Sequence, residues 1–268
     1  MSLRIQTNIE AFDAHRNLVN TENELSSSME KLSSGFRINK AADDAAGLAI
    51  SEKLESQIGG LEQAQQNAQD AVSLVQTGEG ALAEVQSMLQ RVRDLAVQFN
   101  NGTLAASDKA AITAEVAQLS QEIASIASQT TFNGIKLLSG GATITFQVGA
   151  NDGETIAVST PTLTSEVPGS LFSFPGTVSL SSIDAAIQAV SNTRATFGAI
   201  QNRIQDRLTN LSTYEENLQA SDSSIKDVDM ASEMVNFTKL QILQQAGTAM
   251  LSQANSTPQA VLSLLPHG

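Results

Sequence analysis

The chain reads as a mainly α protein: long coiled-coil helices folded into a hairpin or bundle, one small β-hairpin near the middle, and an elongated, rod-like outline. Three observations predict this. Apolar residues recur at spacings of three and four along both ends of the chain, the signature of amphipathic helices. The period drops to two once, between Thr143 and Val158. Aromatic residues make up 4% of the 268 residues, with no Trp; globular cores lean on aromatics, whereas facing helices close narrow seams with Ala, Leu, Ile and Val.

The first helix is expected from near Leu3 to about Ser34, with Leu25, Met29, Leu32 and Phe36 in phase. Ser33-Ser34-Gly35 ends it, because glycine takes the left-handed C-terminal position that other residues resist. Residues 36–44 form a charged connector in which Asp43 or Asp44 caps the second helix, and Arg37 and Lys40 are expected to form ion pairs with these aspartates. The second helix carries Leu61, Ala64, Ala68, Val72 and Val75, then Val85, Leu89, Val92, Ala96 and Phe99. Its stripe continues through Gly59-Gly60 and Gly78, which weaken the helix without ending it. Asn100-Asn101-Gly102 closes it, and Ser107-Asp108 opens a third helix with Ile112, Val116, Leu119, Ile123 and Ile126 on one face.

After Phe132-Asn133-Gly134 the alternation begins. Ile144, Phe146 and Val148, a turn at Gly149-Ala150-Asn151-Asp152-Gly153, and then Ile156 and Val158 predict a β-hairpin at about 142–159. Pro161, Pro168, Gly169, Pro175 and Gly176 mark residues 160–178 as irregular loop. The last helical system, about 180–265, carries Ile183, Ile187, Val190, Phe197, Ile200, Ile204, Leu208, Leu211, Leu218 and Ile225. It is expected to break around Ser221–Asp229 and to end at Pro266.

A chain that leaves on helices and returns on helices sets its two ends side by side. Forty helical residues span roughly 60 Å, and a single pair of such helices cannot hide every apolar stripe, so copies of the same chain are expected to complete the burial. The composition narrows the partners. Fifteen Lys and Arg against 28 Asp and Glu give a formal charge of -13, which opposes nucleic acid, whose phosphates need basic surface; the scattered basic residues form no membrane patch. Without Cys there is no disulfide, thiolate catalysis or thiolate metal site. No apolar run reaches the length of a membrane span, and Met1-Ser2-Leu3-Arg4-Ile5-Gln6 lacks the features of a secretory signal.

Catalytic chemistry is not expected. His15 and His267 are the two histidines, with no second ligand near either in the sequence. Asp43-Asp44 reads as capping, and Gly78-Glu79-Gly80 is too short to cradle a phosphate. No catalytic, metal or cofactor site is assigned. Met230, Met234 and Met250 at helical spacing read as adaptable apolar packing.

Several blocks name a family. MEKLSSGFRINKAADDAAGLAISEKL from Met29 to Leu54 closely resembles bacterial flagellin. So do LQRVRDLAVQ from Leu89 to Gln98, TTFNGIKLL from Thr130 to Leu138, FQVGANDGETI from Phe146 to Ile156, and AMLSQANSTPQAVLSLL from Ala249 to Leu265. The resemblance implies a subunit that assembles into the flagellar filament for motility, in a short form lacking outer domains. It implies a terminal coiled coil of residues 1–43 with 226–268 lining an inner tube, and a bundle of 44–178 with 179–225. Assembly residues are then Leu3, Ile5, Ile9, Phe12, Leu18, Leu25, Met29 and Leu32 in one arm, and Phe237, Leu240, Leu243, Met250, Leu251, Val261, Leu262 and Leu265 in the other.

The resemblance also implies export without a cleavable signal peptide to an extracellular filament. Its implied partners are identical subunits, a filament cap, hook-junction proteins, and an export chaperone on the C-terminal helix around Phe237–Leu265. Within LQRVRDLAVQ, and in Glu115 of the facing helix, the block is similar to the flagellin segment read by a vertebrate Toll-like receptor. Leu89, Arg91, Leu95, Gln98 and Glu115 therefore form a receptor or subunit interface, with subunit contact as the first use. Asp94 stands where many members have Glu, Phe12 and His15 stand where Leu and Gln are common, and Pro266-His267-Gly268 runs past the usual end. A hook-filament junction protein and a monomeric secreted adhesin or immune ligand are the alternatives.

Overall fold

The structure is a computed structural model that describes residues 7–174 and 178–262, with side chains described to residue 257. In chain order the elements are α1 (Ile9–Ser34), α2 (Ala45–Phe99), α3 (Ala106–Gln129), β1 (Thr131–Phe132), β2 (Ile135–Lys136), β3 (Thr143–Gln147), β4 (Thr155–Ser159), α4 (Leu163–Glu166), a 3-10 turn (Gly169–Phe172), α5 (Leu180–Lys226) and α6 (Met230–Leu262). The mainly α architecture with a small β-hairpin matches the sequence reading. Contacts divide the chain into two compact units, Gln57–Asn217 and a second that joins Met1–Ser56 to Leu218–Gly268.

The unit Gln57–Asn217 closes a core of its own. The α2 positions Leu61, Ala64, Ala68, Val75, Val85, Leu89, Val92 and Ala96 are buried, as the three-and-four spacing requires. Of these, Ala68, Val75, Val85 and Leu89 cluster with Ile123 and Ala127 of α3, Val190, Phe197 and Ile204 of α5, and Val148, Ile156 and Val158 of the hairpin, while Val92 and Ala96 cluster with Ile112 and Val116 of α3 and Ile183 of α5. Gly78 belongs to this packing: a Cβ there would lie 2.7 Å from the Phe197 ring, so the stripe passes through a glycine because an aromatic ring occupies the space. Strands β3 and β4 pair antiparallel, with Ile144 opposite Val158 and Phe146 opposite Ile156.

Two local features differ from the sequence reading. Residues 160–174 are folded rather than irregular: the Leu163 amide donates to the Leu138 carbonyl (2.8 Å), and Leu163, Val167 and Phe174 are buried. Burying three apolar side chains in this Pro-interrupted stretch orders it by tertiary contact. A second, two-residue hairpin also joins β1 to β2, turning through Asn133 (φ 47°) and Gly134 (φ 78°). Consecutive left-handed residues of the Asn-Gly type match the twist of a tight hairpin.

In the other unit, α1 packs along α6 in antiparallel order. Asn8 Nδ2 donates to the Ala254 carbonyl (2.7 Å) at one end, Leu18 lies against Gly247 further along, and Ser28 Oγ hydrogen-bonds to Glu233 beyond that. Both helices start on side-chain caps. The Asn8 side-chain Oδ1 accepts from the Ala11 amide (3.1 Å), and Asp229 Oδ1 accepts from Ala231 (3.0 Å) and Ser232 (3.2 Å). Gly35 ends α1 in the left-handed conformation (φ 77°) and donates to the Lys31 carbonyl. The break between α5 and α6 falls at residues 227–229, inside the predicted window. Leu3, Ile5, Leu265 and Pro266 lie outside the described residues, as do the side chains of Val261 and Leu262.

Candidate functional site: the uncovered face of the terminal helix pair

The site is built by helical phase. In α1 the residues turned toward α6 include Leu18, Leu25, Ser28 and Leu32, spaced seven, three and four apart; all are half-buried or buried. In α6 the corresponding set is Phe237, Leu240, Gly247 and Leu251, with Leu240 buried. At about 100° per residue, a second apolar set falls on the far side of each helix. On α1 it comprises Ile9, Phe12 and Val19, exposed by 54%, 70% and 39%. On α6 it comprises Val235 and Ile242, exposed by 71% and 61%, while Leu243 and Met250, exposed by 45% and 64%, stand on the flank between this side and the seam.

A helix apolar on two sides gains burial energy from covering both. Here one side is covered by the antiparallel partner and the other is bare. Met234, Val235, Thr238, Lys239 and Ile242 line an open trough of about 420 Å³ on this outer face. Scattered exposed apolar residues are ordinary; a row of them along one helix, as around this trough on α6, marks an interaction surface.

The residues expected from sequence to serve assembly therefore fall into two positions. Leu18, Leu25, Leu32, Phe237, Leu240 and Leu251 sit in the seam between α1 and α6, while Ile9, Phe12, Met29, Leu243 and Met250 are exposed. Sequence reasoning missed the polar lock in the seam. Ser28 is buried (2% exposed) between Leu25 and Leu32 and bonds Glu233. A serine in an apolar seam was the available signal.

It also missed how the α1–α2 connector is held. The Arg37 amide donates to the Lys226 carbonyl (2.6 Å) and the Val228 amide to the Gly35 carbonyl (3.0 Å), forming a short antiparallel bridge between Phe36 and Asp227. Lys226 reaches Glu55 and stands over the Phe36 ring, 4.7 Å from its centre. The hydrogen bond to Glu55 raises the Lys226 pKa, with partial burial working against it. Asp44 is the α2 cap, accepting from Ala46 (3.1 Å) and Gly47 (2.9 Å). Asp43 instead accepts the amides of Asn39 and Lys40, both at 3.0 Å. The expected ion pairs take other partners: Lys40 pairs with Glu30 (2.6 Å), and Arg37 reaches the Ile225 carbonyl. Each aspartate instead commits one carboxylate oxygen, Asp43 Oδ2 and Asp44 Oδ1, to two backbone amides.

The second expected interface lies in the unit Gln57–Asn217. Leu89 and Leu95 are buried at 0% and 2% exposure, whereas Arg91, Gln98 and Glu115 are exposed. Arg91 grips one oxygen of Glu115 through Nε (2.9 Å) and Nη2 (2.7 Å), tying α2 to α3 at the surface. Among the described residues no group of three or more His, Asp or Glu could hold a metal ion, and no helix is long and apolar enough to cross a membrane.

Paired helices that each keep a second, bare apolar stripe define an assembly subunit. The comparisons make the class specific. The family profile described as the bacterial flagellin N-terminal helical region matches residues 5–143, and that of the C-terminal helical region matches residues 180–265. A flagellin of Halalkalibacterium halodurans is 50% identical over 97% of this chain and 99% of its own length. The flagellar filament 33 kDa core protein of Treponema phagedenis is 43% identical over 97% and 99%. The crystal structure of Bacillus cereus flagellin superposes with a TM-score of 0.51 at 36% identity, covering 55% of this chain and 88% of that one. The chain belongs to the bacterial flagellin family.

Proposed function

We propose that the chain is the structural subunit of a flagellar filament and that polymerisation, not catalysis, is its mechanism. The observation that carries this reading is the bare apolar stripe on each helix of the terminal pair, together with relatives named flagellin and filament core protein over nearly the full length. In the filament the arms 1–43 and 226–268 form the inner tube and sister subunits cover Ile9, Phe12, Val19, Val235, Ile242, Leu243 and Met250; residues 44–225 form the next layer. Burial at about 25 cal/mol per Å² drives association against ordering entropy and the repulsion of subunits carrying a charge of -13 each.

The finer partners follow from the same face. Before assembly, α6 needs a cover, which an export chaperone supplies; the cap and hook-junction proteins use the same ends, and the subunit works outside the cell after export without a cleaved signal. A vertebrate Toll-like receptor would read Arg91, Gln98 and Glu115 from the surface, with Leu89 and Leu95 setting their position from beneath. Subunit contact is the primary use of that patch.

Deletion of residues 1–40 or 230–268 tests the reading. Sedimentation and electron microscopy at raised salt should show regular tubes from the intact chain and soluble monomer from either deletion. Tubes from a truncated chain would refute it.

A further inference from the structure

The bare surface of the terminal helix pair is unusual in its chemistry as well as its position. Of the six methionines in the chain, four are exposed on α1 and α6: Met29 (55%), Met230 (48%), Met234 (49%) and Met250 (64%). Three of them gather at one place. Ser28 bonds Glu233 across the seam, and Met29 on α1 and Met230 and Met234 on α6 each lie within one turn of that contact along their helices. Met88, by contrast, is half-buried against the core of the unit Gln57–Asn217, and that unit's exposed large apolar residues are Val97, Ile135 and Tyr214 among the described residues.

Exposure decides which thioethers an oxidant reaches, and the product is polar where the parent is apolar. We propose that Met29, Met230, Met234 and Met250 are sites of peroxide oxidation, and that their conversion to sulfoxide keeps a free subunit out of the filament; the proposal rests on the filament reading above. In the step, the thioether sulfur uses a lone pair to take one oxygen from hydrogen peroxide. The O–O bond breaks, a proton moves to the departing oxygen, water leaves, and sulfur is oxidised as peroxide is reduced. The new S–O group is a strong acceptor. On the free subunit it stays in water, but in the assembled state it is carried into an apolar contact without a donor. The same burial makes the sites inaccessible once assembled, so oxidation acts on monomer and not on finished filament.

Brief peroxide treatment of intact monomer, quenching, polymerisation and separation of pellet from supernatant test the proposal without any variant. Peptide mass spectrometry should find sulfoxide at the four positions concentrated in the supernatant, with Met88 oxidised more slowly and distributed evenly. The critical concentration of the oxidised pool should rise about tenfold or more, the factor that one unpaired polar group produces. A variant with all four methionines changed to Leu, a volume-conserving swap, should show the same critical concentration with and without peroxide, measured against its own untreated value rather than that of the wild type. Equal sulfoxide content in pellet and supernatant, or an equal loss of assembly by the four-Leu variant, overturns the proposal and leaves the filament reading standing. Failure of untreated wild-type protein to polymerise overturns both.

Discussion

The sharpest test of the uncovered-face argument removes apolar area from that face alone. Val235 and Ile242 lie one heptad apart on the outer side of α6, with 71% and 61% of their surface still in water. Fully burying such a side chain contributes about 1.5–3 kcal/mol; the exposed share leaves about 1–2 kcal/mol for each to gain on assembly. Changing both to Ala should therefore cost about 2–4 kcal/mol per subunit contact, raising the critical concentration roughly thirtyfold to a thousandfold at 1.4 kcal/mol per factor of ten. The same change should leave the thermal midpoint of the monomer within a degree or two of wild type, since neither side chain packs inside it; surface changes of this kind stay within about 0.5 kcal/mol. Leu240→Ala, on the seam side of the same helix at 4% exposure, should do the reverse and destabilise the monomer by about 2–5 kcal/mol. Light scattering against subunit concentration and circular dichroism melts read the two quantities separately. If the Val235/Ile242 double variant polymerises at the wild-type critical concentration, the outer stripe is not an assembly surface and the reasoning fails.

Two further outcomes concern the subunit itself. Gly78→Ala would push a methyl group to 2.7 Å from the Phe197 ring; overpacking of this kind costs about 1–3 kcal/mol, and a denaturant melt should show the loss and its partial recovery on adding Phe197→Leu. The carboxyl of Asp43 is held below the ordinary range chiefly by the backbone amides of Asn39 and Lys40. Because its folded pKa is lowered, its contribution is fully present above the ordinary carboxylate pKa and is lost as pH falls through the lowered value. An NMR titration should place the Asp43 midpoint below that of an exposed Asp, and Asp43→Asn should remove the corresponding acid-side change in the amide shifts of residues 39 and 40.

The helices were legible because their signals are local. Stripes, the Gly35 end, the Asp44 cap and the break before Met230 each depend on residues within a turn of one another. The two-residue hairpin at Asn133-Gly134 was equally legible from its dipeptide and was passed over in favour of the longer alternation after it. Two features were not legible. The order in residues 160–174 comes from Leu163, Val167 and Phe174 finding the core, which proline and glycine content conceals. The roles of Leu18 and Phe12 also look alike in one dimension, since both are apolar in phase with a helix. Only the antiparallel register fixed by Asn8–Ala254, Leu18–Gly247 and Ser28–Glu233 shows that one faces the seam and the other water.

That register also explains why one sequence pattern has two outcomes in one chain. In the unit Gln57–Asn217, α2 meets side chains from α3, α5 and the β-hairpin in a common cluster, so its apolar positions reach nearly complete burial within the subunit. In the terminal unit α1 has α6 and α6 has α1, and a helix with one neighbour covers one side. The second stripe on each is then uncovered because the pair lacks neighbours, not because either sequence is poorly patterned. Adding a stripe where the fold provides no cover destabilises a solitary monomer and favours whatever supplies the missing helices. Identical subunits do so without requiring any new surface to be specified, since every copy brings the same bare stripes. The acidic charge sets the opposing term, keeping copies apart until enough apolar area meets at once, and this makes association depend on many contacts forming together rather than on any single one.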